Sequence, residues 1–432
     1  MTLDQLPEIA PPQKPSQLTQ PPLDSWRPPK LDYDLAIVGG GIVGLTLACA
    51  LKDSGLRVAL IEAQSLEQAA ARRQAYALSL LSGQIFEGIG VWPQISPNIT
   101  HFQRVRLSDA DYPKVVEFRP EDLKTEAVYY GAEHSVLITA LQNCVRQCGT
   151  VNFLCPARLI SVDYQPQAVQ LKIEMAGQVQ TLRAQLMAAA DGARSRIRQQ
   201  AGIRTVGWKY WQSCITAVLK PEKPHQNIAY ERFWPNGPFA ILPIPHNRCQ
   251  IVWTVPHTKA ETILALPSDQ FLAELSRHYG NQMGSLTLVS QPRLFQVQLM
   301  QSNCYVRSRL ALVGDAAHCC HPVGGQGLNM GIRDAAVLAQ VLQTGFEQGE
   351  DIGELHLLKR YERWRRRENW LVLGFTDFLN RCFSNTFLPL VILRRLGIQI
   401  LQTIPPLKRL MLRLMTGFLG RIPDLARHSV EK

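Results

Sequence analysis

The sequence predicts an α/β protein in which a Rossmann-like domain is interrupted by a β-sheet domain and followed by a helical C-terminus. Three observations lead to this prediction: a complete β-α-β unit near the start, short β-rich pieces in the middle, and helical composition from Leu355 onward. The chain has 432 residues, of which 46% are hydrophobic and 19% are charged. This ordinary globular composition excludes wholesale disorder.

The first 30 residues differ from the rest, because eight of them are proline. Proline removes a backbone donor and blocks helix formation, so residues 1–30 are predicted to be a disordered tail, with a docking or targeting segment as the alternative.

The ten cysteines are scattered without a CxxC pair, and no secretory signal opens the chain. We therefore expect a reducing compartment and a cytoplasmic location.

The β-α-β unit carries a dinucleotide-binding pattern. A short buried strand, Asp34–Val38, leads into a glycine-rich turn and a helix, and Arg57–Glu62 is the second strand. Gly39 permits the tight turn, Gly41 leaves room for a pyrophosphate, and Gly44 allows the helix to pack closely on the strand. The N-terminus of the helix then faces the phosphates with its free N–H groups.

An acidic residue ends the second strand. Glu62 stands where a carboxylate binds the ribose hydroxyls of a dinucleotide. An acid at this position disfavours a 2′-phosphate. The predicted ligand is therefore FAD or NAD rather than NADP.

Two motifs in the second half distinguish FAD from NAD. One runs from Asp191 to Arg198 (DGARSRIR), and the other runs from Gly314 to Gly331 (GDAAHCCHPVGGQGLNMG). Together with the glycine-rich turn, they resemble the three motifs of the class A flavoprotein aromatic hydroxylases, the para-hydroxybenzoate hydroxylase-like group. The resemblance implies bound FAD, with NAD(P)H as a co-substrate that visits the flavin without a domain of its own.

The resemblance also assigns roles to residues. Asp315 would accept hydrogen bonds from the ribitol of FAD, and the N–H groups of the helix that follows would hold the flavin ring. The predicted cofactor-binding residues are Gly39, Gly41, Gly44, Glu62, Arg73, His134, Asp191, Asp315, Gly327, Leu328 and Asn329. The predicted contacts for substrate or NAD(P)H are Ser195, Arg198, Pro322 and Gly325, and the predicted catalytic residues are His318 and Gln326.

A narrower resemblance covers residues 32–423. The matching blocks are Ala75–Ser79 with Gly90–Trp92, Gly131–His134, Arg232–Pro243 with Val252-Trp253, and Arg360–Arg363 with Ile404–Lys408. They resemble the ubiquinone-biosynthesis aromatic ring hydroxylases. Three places depart from that pattern: Gln74 replaces a frequent arginine, His134 stands where Asn or Gln is common, and Phe295 is followed by Gln296-Val297 in place of Pro-Leu.

This family resemblance implies a function. The expected reaction is hydroxylation of an aromatic ring, such as a prenylated phenol in quinone biosynthesis, by NAD(P)H and O₂ through a C4a-hydroperoxyflavin. The alternatives are another flavin reaction on the same fold, by a reductase or halogenase, or a non-catalytic FAD-containing member of a quinone-synthesis complex.

The motifs also predict a domain division. The FAD-binding domain is expected to comprise residues 31–99, 127–203 and 303–375, and the β-sheet substrate domain residues 100–126 and 204–302. Residues 376–423 are expected to form C-terminal amphipathic helices.

Charge is concentrated near the C-terminus. The net charge is +11, and residues 359–432 contribute 15 Lys and Arg against 5 Asp and Glu. Phe387–Arg421 mixes this charge with Leu, Ile, Met and Phe, so we expect either peripheral membrane contact or packing on the flavin domain. No nucleic-acid module is recognisable.

The run His318-Cys319-Cys320-His321 is not expected to bind a metal, because four consecutive residues cannot converge on one ion.

Overall fold

The computed structural model describes residues 31–110, 112–280 and 282–427, so the predicted tail at 1–30 lies outside the described residues. Within these ranges the strands form three sheets. The strands are β1 (Tyr33–Val38), β2 (Val58–Ile61), β3 (Ala75–Leu78), β4 (Thr100–His101), β5 (Arg104–Asp109), β6 (Val115–Phe118), β7 (Tyr130–Glu133), β8 (Val151–Leu154), β9 (Arg158–Tyr164), β10 (Val169–Met175), β11 (Gln178–Ala189), β12 (Thr205–Pro221), β13 (Ile228–Trp234), β14 (Gly237–Ile244), β15 (Arg248–Pro256), β16 (Leu286–Leu288), β17 (Arg293–Ser302), β18 (Val306–Arg307), β19 (Leu310–Leu312) and β20 (His318–Cys319).

Helices cover these sheets and form the C-terminal part of the described chain. They are α1 (Ile42–Ala50), α2 (Leu66–Ala70), α3 (Leu80–Ile89), α4 (Trp92–Ile95), α5 (His134–Arg146), α6 (Arg196–Gln200), α7 (His257–Leu264), α8 (Ser268–Tyr279), α9 (Gln326–Glu347), α10 (Leu355–Phe383), α11 (Leu388–Thr403) and α12 (Pro405–Thr416). None of these helices is long and apolar enough to cross a bilayer.

The first sheet has the order β18-β19-β11-β1-β2-β8, and β9 and β10 extend it at one side. Strands β19, β11, β1, β2 and β8 run parallel to one another, and β18 pairs with β19 in the antiparallel direction. All four residues of β2 are buried, as expected for a parallel strand covered on both faces. Helices α5 and α9 pack on α1 beside this sheet.

The second sheet has the order β20-β17-β12-β15-β14-β13-β5-β6. Strands β5 and β6 come from residues 100–126 and most of the others come from residues 204–302, so two separate segments build one sheet. Helices α7 and α8 pack on one face around Trp253 and Phe271. The other face meets the C-terminal helices around Phe233 and Phe383.

The third sheet, β3-β7-β4, packs against β14 of the second sheet and against helices α5 and α9. Gly131 of β7 approaches β14 so closely that a Cβ on it would lie 2.1 Å from the carbonyl oxygen of Pro243. The predicted fold class, an α/β domain interrupted by a β-sheet domain and followed by helices, is confirmed.

The C-terminal helices begin later than the predicted boundary at residue 376. Helix α10 runs without a break from Leu355 to Phe383 and carries residues on both sides of that boundary. The break falls between Phe383 and Leu388, because Pro389 can occupy only the first turn of a new helix. Pro405 and Pro406 begin α12 in the same way.

Candidate active site

A cleft of about 860 Å³ opens at the carboxyl ends of β1, β11 and β19. The strand order reverses here, because β2 lies on one side of β1 and β11 lies on the other. Ligands of open α/β sheets bind in the crevice at such a switch point. Most of the predicted cofactor residues line this cleft: Gly39, Gly41, Glu62, His134, Asp191, Asp315, Gly327 and Leu328.

The glycines of the first turn have the roles expected for them. Gly39 has φ +113°, and a Cβ on it would lie 2.3 Å from the carbonyl oxygen of Ala190. Gly44 packs against the backbone of Gly39, which brings α1 close to β1. Gly41 differs, because a Cβ there would meet no protein atom within 4 Å. The space in front of Gly41 therefore belongs to the cleft and suits a pyrophosphate.

Glu62 both shapes the turn and faces the cleft. Its Oε2 accepts a hydrogen bond of 2.6 Å from the N–H of Gly40, and its Oε1 accepts one of 2.7 Å from the N–H of Gln64. Each carboxylate oxygen has two lone pairs, so both retain acceptor capacity for the hydroxyls of a ribose.

Asp191 offers an acceptor that the protein does not use. Its Oδ1 is buried and, among the described residues, has no hydrogen-bond partner, while its Oδ2 accepts only a long bond of 3.4 Å from the N–H of Ile197. Buried polar atoms are rarely left unpaired. A hydrogen-bond donor supplied by a bound cofactor would satisfy this oxygen.

Ser195 and Arg198 have structural partners and are absent from the cleft wall. The hydroxyl of Ser195 accepts a hydrogen bond of 3.0 Å from the N–H of Arg198 and so caps α6. The guanidinium of Arg198 donates to the carbonyl oxygens of Ala316 at 2.8 Å and Ala193 at 3.0 Å. This arginine therefore ties the two motifs of the second half together.

Asp315 follows β19 and its side chain opens into the cleft. No described residue donates a hydrogen bond to its carboxylate, and its position deep in the cleft raises its pKa. Helix α9 begins next to it, with Gly325 at φ +61° and without a side-chain cap. The free N–H groups of its first turn can bind a flavin carbonyl. The unpaired carboxylate, the open space at Gly41 and these N–H groups together fit FAD.

The structure does not bring His318 to the cleft. Its side chain is 1% exposed, and its Nε2 lies 2.5 Å from Oδ2 of Asp334. Asp334 also accepts hydrogen bonds from Arg365 at 2.7 Å and Asn369 at 3.1 Å. His318 therefore belongs to a buried polar network between α9 and α10, and the geometry offers no route for it to act on a substrate in the cleft.

Gln326 and Asn329 are also buried behind the wall. The amide of Gln326 donates to the hydroxyl of Tyr129 at 3.1 Å and to the carbonyl oxygens of Gly324 at 2.9 Å and Met415 at 3.2 Å. Asn329 bonds the backbone of Ala77, Ser79 and Gly325. Both side chains fix the loop that precedes α9, so they position the site without facing it.

Of the two residues near β3 that were predicted to contact the flavin, His134 lines the cleft and Arg73 does not. Arg73 is exposed and absent from the cleft wall, which its neighbours Arg72 and Gln74 line. His134 lines the cleft at the start of α5. Its Nε2 must donate to the carbonyl oxygen of Ala69 at 3.0 Å, so its Nδ1 accepts from the hydroxyl of Tyr76 at 3.1 Å. Burial lowers the pKa of His134 and favours this neutral form.

A second, apolar cavity of about 100 Å³ adjoins the cleft. Pro322 and Gly325 border both spaces, as do Ala77, Leu242 and Val252. Strands of the second sheet form one side of this cavity, and α10 and α12 form the other. The predicted positions of Pro322 and Gly325 at the meeting point of cofactor and substrate agree with this geometry.

Sequence reasoning missed several residues of this cavity. Tyr129, Glu231 and Met415 line it, although they are about 100 to 290 residues apart in the chain. The alternation along β13 is the local signal that could have placed Glu231, because Ala229, Glu231 and Phe233 share one face of that strand. Which face meets the cavity is decided by the C-terminal helices, and no local pattern reveals that.

Comparisons with known proteins identify the class of this site. The sequence profile described as "FAD binding domain" matches residues 32–376. Among solved structures, p-nitrophenol 4-monooxygenase from Pseudomonas putida superposes with a TM-score of 0.79 and 18% identity, covering 90% of this chain and 98% of that one. The profile and the motifs thus define an FAD-binding protein, and the superposition shows that its fold is shared with that monooxygenase.

Curated relatives narrow the family. Ubiquinone hydroxylase UbiL of Rhodospirillum rubrum is 38% identical over 91% of this chain and 92% of its own length. The 3-demethoxyubiquinol 3-hydroxylase of Escherichia coli is 32% identical over 89% and 98%. An uncharacterized protein of Synechocystis sp. is 54% identical over 91% and 95%. The chain belongs to the ubiquinone-biosynthesis family of FAD-dependent aromatic ring hydroxylases.

Proposed function

We propose that this enzyme hydroxylates the ring of a prenylated phenol on the way to a quinone, using NAD(P)H and O₂. The observation that carries the proposal is the apolar cavity that meets the FAD cleft at Pro322 and Gly325. An aromatic ring held there would lie at the start of α9, next to the predicted position of the flavin. Two relatives are named as a ubiquinone hydroxylase and a 3-demethoxyubiquinol 3-hydroxylase, which supports this class of substrate.

Bound FAD supplies the redox chemistry, accepting a hydride from NAD(P)H and delivering one oxygen atom of O₂. The protein holds the cofactor through the turn at Gly39–Gly44, the carboxylates of Glu62 and Asp315, and the N-terminus of α9. The walls of the apolar cavity exclude water from the ring, which protects the oxygen transfer from wasteful side reactions.

The proposal includes contact with a membrane surface, because a prenylated substrate resides in lipid. Helices α11 and α12 expose many apolar side chains to solvent. They are Phe387, Leu388, Ile392, Leu393, Leu396, Ile404, Leu407 and Leu410. Exposed apolar patches of this kind commonly mark interaction sites. The opposite side of α12 contributes Met411, Leu412 and Met415 to the cavity, so one helix would separate the bilayer from the ring-binding space.

Three basic residues of these helices pair with carboxylates of the chain. Arg394 and Arg395 pair with Asp109 at 2.9 and 3.1 Å, and Lys408 pairs with Asp122 at 2.6 Å. These pairs dock α11 and α12 on the β-sheet domain, and the carbonyl oxygen of Met415 also joins α12 to Gln326 of α9. Arg409 and Arg413 are exposed and form no salt bridge with a described residue. They remain available to anionic lipid headgroups.

The test is an anaerobic visible spectrum of the purified holoenzyme with NADH or NADPH, recorded with and without a panel of prenylated phenols. We expect the flavin to bleach faster when a suitable phenol is bound, and a hydroxylated product to form when O₂ is admitted. Bleaching with no product from any phenol would favour a reductase or halogenase. Flavin that never bleaches would favour a non-catalytic member of a quinone-synthesis complex.

A further inference from the structure

A single carboxylate faces the apolar cavity. Glu231 lies in the middle of β13, and the alternate residues Ala229, Glu231 and Phe233 all line the space. The next side chain, Arg232, turns to the opposite face and donates to the carbonyl oxygens of His278 and Tyr279 at 3.0 Å. Among the described residues that line this cavity, Glu231 alone carries a charge.

This carboxylate lacks a cation. No salt bridge joins it to a described residue, although a charge buried without a partner is costly. Burial raises the pKa of Glu231 to about 7, and the backbone amide of Gly324 offsets only part of this effect. The carboxylate therefore changes its charge within the pH range in which enzymes are assayed.

The neighbouring titratable groups are already engaged or remain neutral. The hydroxyl of Tyr129 donates to the carbonyl oxygen of Met415. Cys214 on β12 is buried, which raises its pKa and keeps it a neutral thiol. Asp109, two residues beyond the cross-strand partner of Glu231 on β5, is paired with Arg394 and Arg395. None of these groups neutralises Glu231, so a donor on a bound ligand would find acceptor capacity there.

We propose that Glu231 accepts a hydrogen bond from the phenolic hydroxyl of the substrate and takes its proton during oxygen transfer. The inference rests on the proposed function and names the residue that orients its substrate. The position is suitable because Gly324, beside the carboxylate, lies between Pro322 and Gly325, which border the FAD cleft. A hydroxyl bound at Glu231 would hold its ring at this junction.

Glu231 takes up one proton during the reaction and later returns it. As the ring attacks the oxygen that the reduced flavin and O₂ supply, positive charge develops on the phenolic oxygen and its O–H becomes more acidic. The O–H bond breaks, the proton passes to a carboxylate oxygen of Glu231, and the electron pair stays on the phenolic oxygen. The ring carbon gains its C–O bond as the O–O bond of the supplied oxygen breaks. That carbon then releases its hydrogen as a proton to bulk solvent, the electron pair of the C–H bond restores aromaticity, and Glu231 returns its proton to the phenolic oxygen.

The test compares two probes on the oxidised holoenzyme, 2-geranylphenol and its methyl ether 2-geranylanisole. They share ring and tail, but only the phenol can donate a hydrogen bond. Binding is measured from the perturbation of the flavin spectrum at pH 8 and pH 6. The variant is Glu231→Gln, and the control is Glu222→Gln, an equivalent change at an exposed carboxylate next to β12.

We expect the wild type and E222Q to bind the phenol about tenfold more tightly than the ether at pH 8. This preference should fade at pH 6, where Glu231 is protonated and no longer needs a donor. E231Q should show little preference at either pH. An undiminished preference in E231Q would overturn the role of Glu231 and leave the proposed function standing. Failure of the wild type to bind either probe would overturn the prenylated substrate as well.

Discussion

The carbonyl oxygen of Gly39 lies 1.9 Å from the point that a Cβ on Gly44 would occupy. No side chain fits between these atoms, because both belong to backbone that α1 and β1 hold in place. Gly41, in the same turn, has φ −71° and open space before it. Gly39 and Gly44 are thus required by the packing of the fold, whereas Gly41 leaves space for a ligand.

Alanine at Gly44 should affect the stability of the fold, whereas alanine at Gly41 should affect the binding of FAD. Gly44→Ala should lower the free energy of unfolding by about 2 kcal/mol or more, because it forces the helix away from the strand. Gly41→Ala should leave the unfolding of the apoprotein within about 0.5 kcal/mol of wild type and weaken FAD binding at least tenfold. Urea unfolding and a fluorescence titration with FAD measure these effects. A G41A protein that binds FAD normally would contradict the assignment of the pyrophosphate site.

Asp315 provides a second prediction about the cofactor. Asp315→Asn keeps the shape and removes the charge, so FAD should bind about 10-fold to 100-fold more weakly, the usual effect of losing a hydrogen bond to a charged group. Because burial raises the pKa of Asp315, FAD affinity of the wild type should fall as the pH is lowered through that pKa. The affinity of D315N should vary less over the same range. Equal pH profiles for the two proteins would argue that another group binds the ribitol.

The buried network around Asp334 predicts a change in stability. Burial alone would raise the pKa of Asp334, but the charges and hydrogen bonds of His318 and Arg365 hold it well below its usual range. This stabilisation is fully present above the pKa of the unfolded chain and is lost only as the pH falls through the lower pKa of the folded protein. At neutral pH, Asp334→Asn should therefore cost about 3 kcal/mol of unfolding free energy. It removes the buried charge that His318 and Arg365 share, and leaves Arg365 with Glu368 as its carboxylate partner.

An equivalent substitution on the surface is the control. Asp424 pairs with Arg427 at 3.4 Å, and the side chains are 52% and 56% exposed. Asp424→Asn should change the unfolding free energy by less than about 1 kcal/mol, because water screens this pair. Chemical denaturation of both variants distinguishes the two cases. Similar losses in D334N and D424N would show that the network contributes no more than a surface ion pair.

The exposed face of α11 predicts binding to lipid vesicles. Ile392 and Leu396 lie one turn apart and are 59% and 50% exposed. Replacing both with serine should reduce co-sedimentation with anionic liposomes about tenfold, since each side chain loses apolar area that would enter the bilayer. The matched control replaces Val179 and Val206, which are 63% and 69% exposed on other elements. Equal sedimentation of the two double variants would exclude α11 as the membrane contact.

Local patterns predict cofactor-binding residues that the structure largely places on the wall of one cleft. The turn at Gly39–Gly44 and the segment from Asp315 to Leu328 derive their geometry from nearby residues, so their sequences reveal their role. His318 lies in the same segment but was assigned wrongly to the cleft. It belongs to β20, whose pairing with Gln301 of β17 orients the ring toward Asp334. That pairing is tertiary and leaves no trace in the motif.

The substrate half was harder to predict for a related reason. Glu231 contacts the cavity only because α10 and α12 close over β13, and those helices follow about 150 residues later in the chain. Likewise, the sequence suggests that the basic residues of α11 and α12 face lipid. In the structure, Arg394 and Lys408 pair with Asp109 and Asp122 instead. Long-range partners decide the direction of these side chains, and composition does not report them.

The order of strands in the first sheet constrains how the chain can be made. Strand β1 needs β11 as a neighbour, and β11 needs β19, which follows after about 120 further residues that build most of the second sheet. During synthesis, the first hundred residues therefore leave the ribosome without the partners that complete their sheet. High sequence separation of this kind slows folding, and the parallel row of the first sheet can be completed only after residue 312 has emerged.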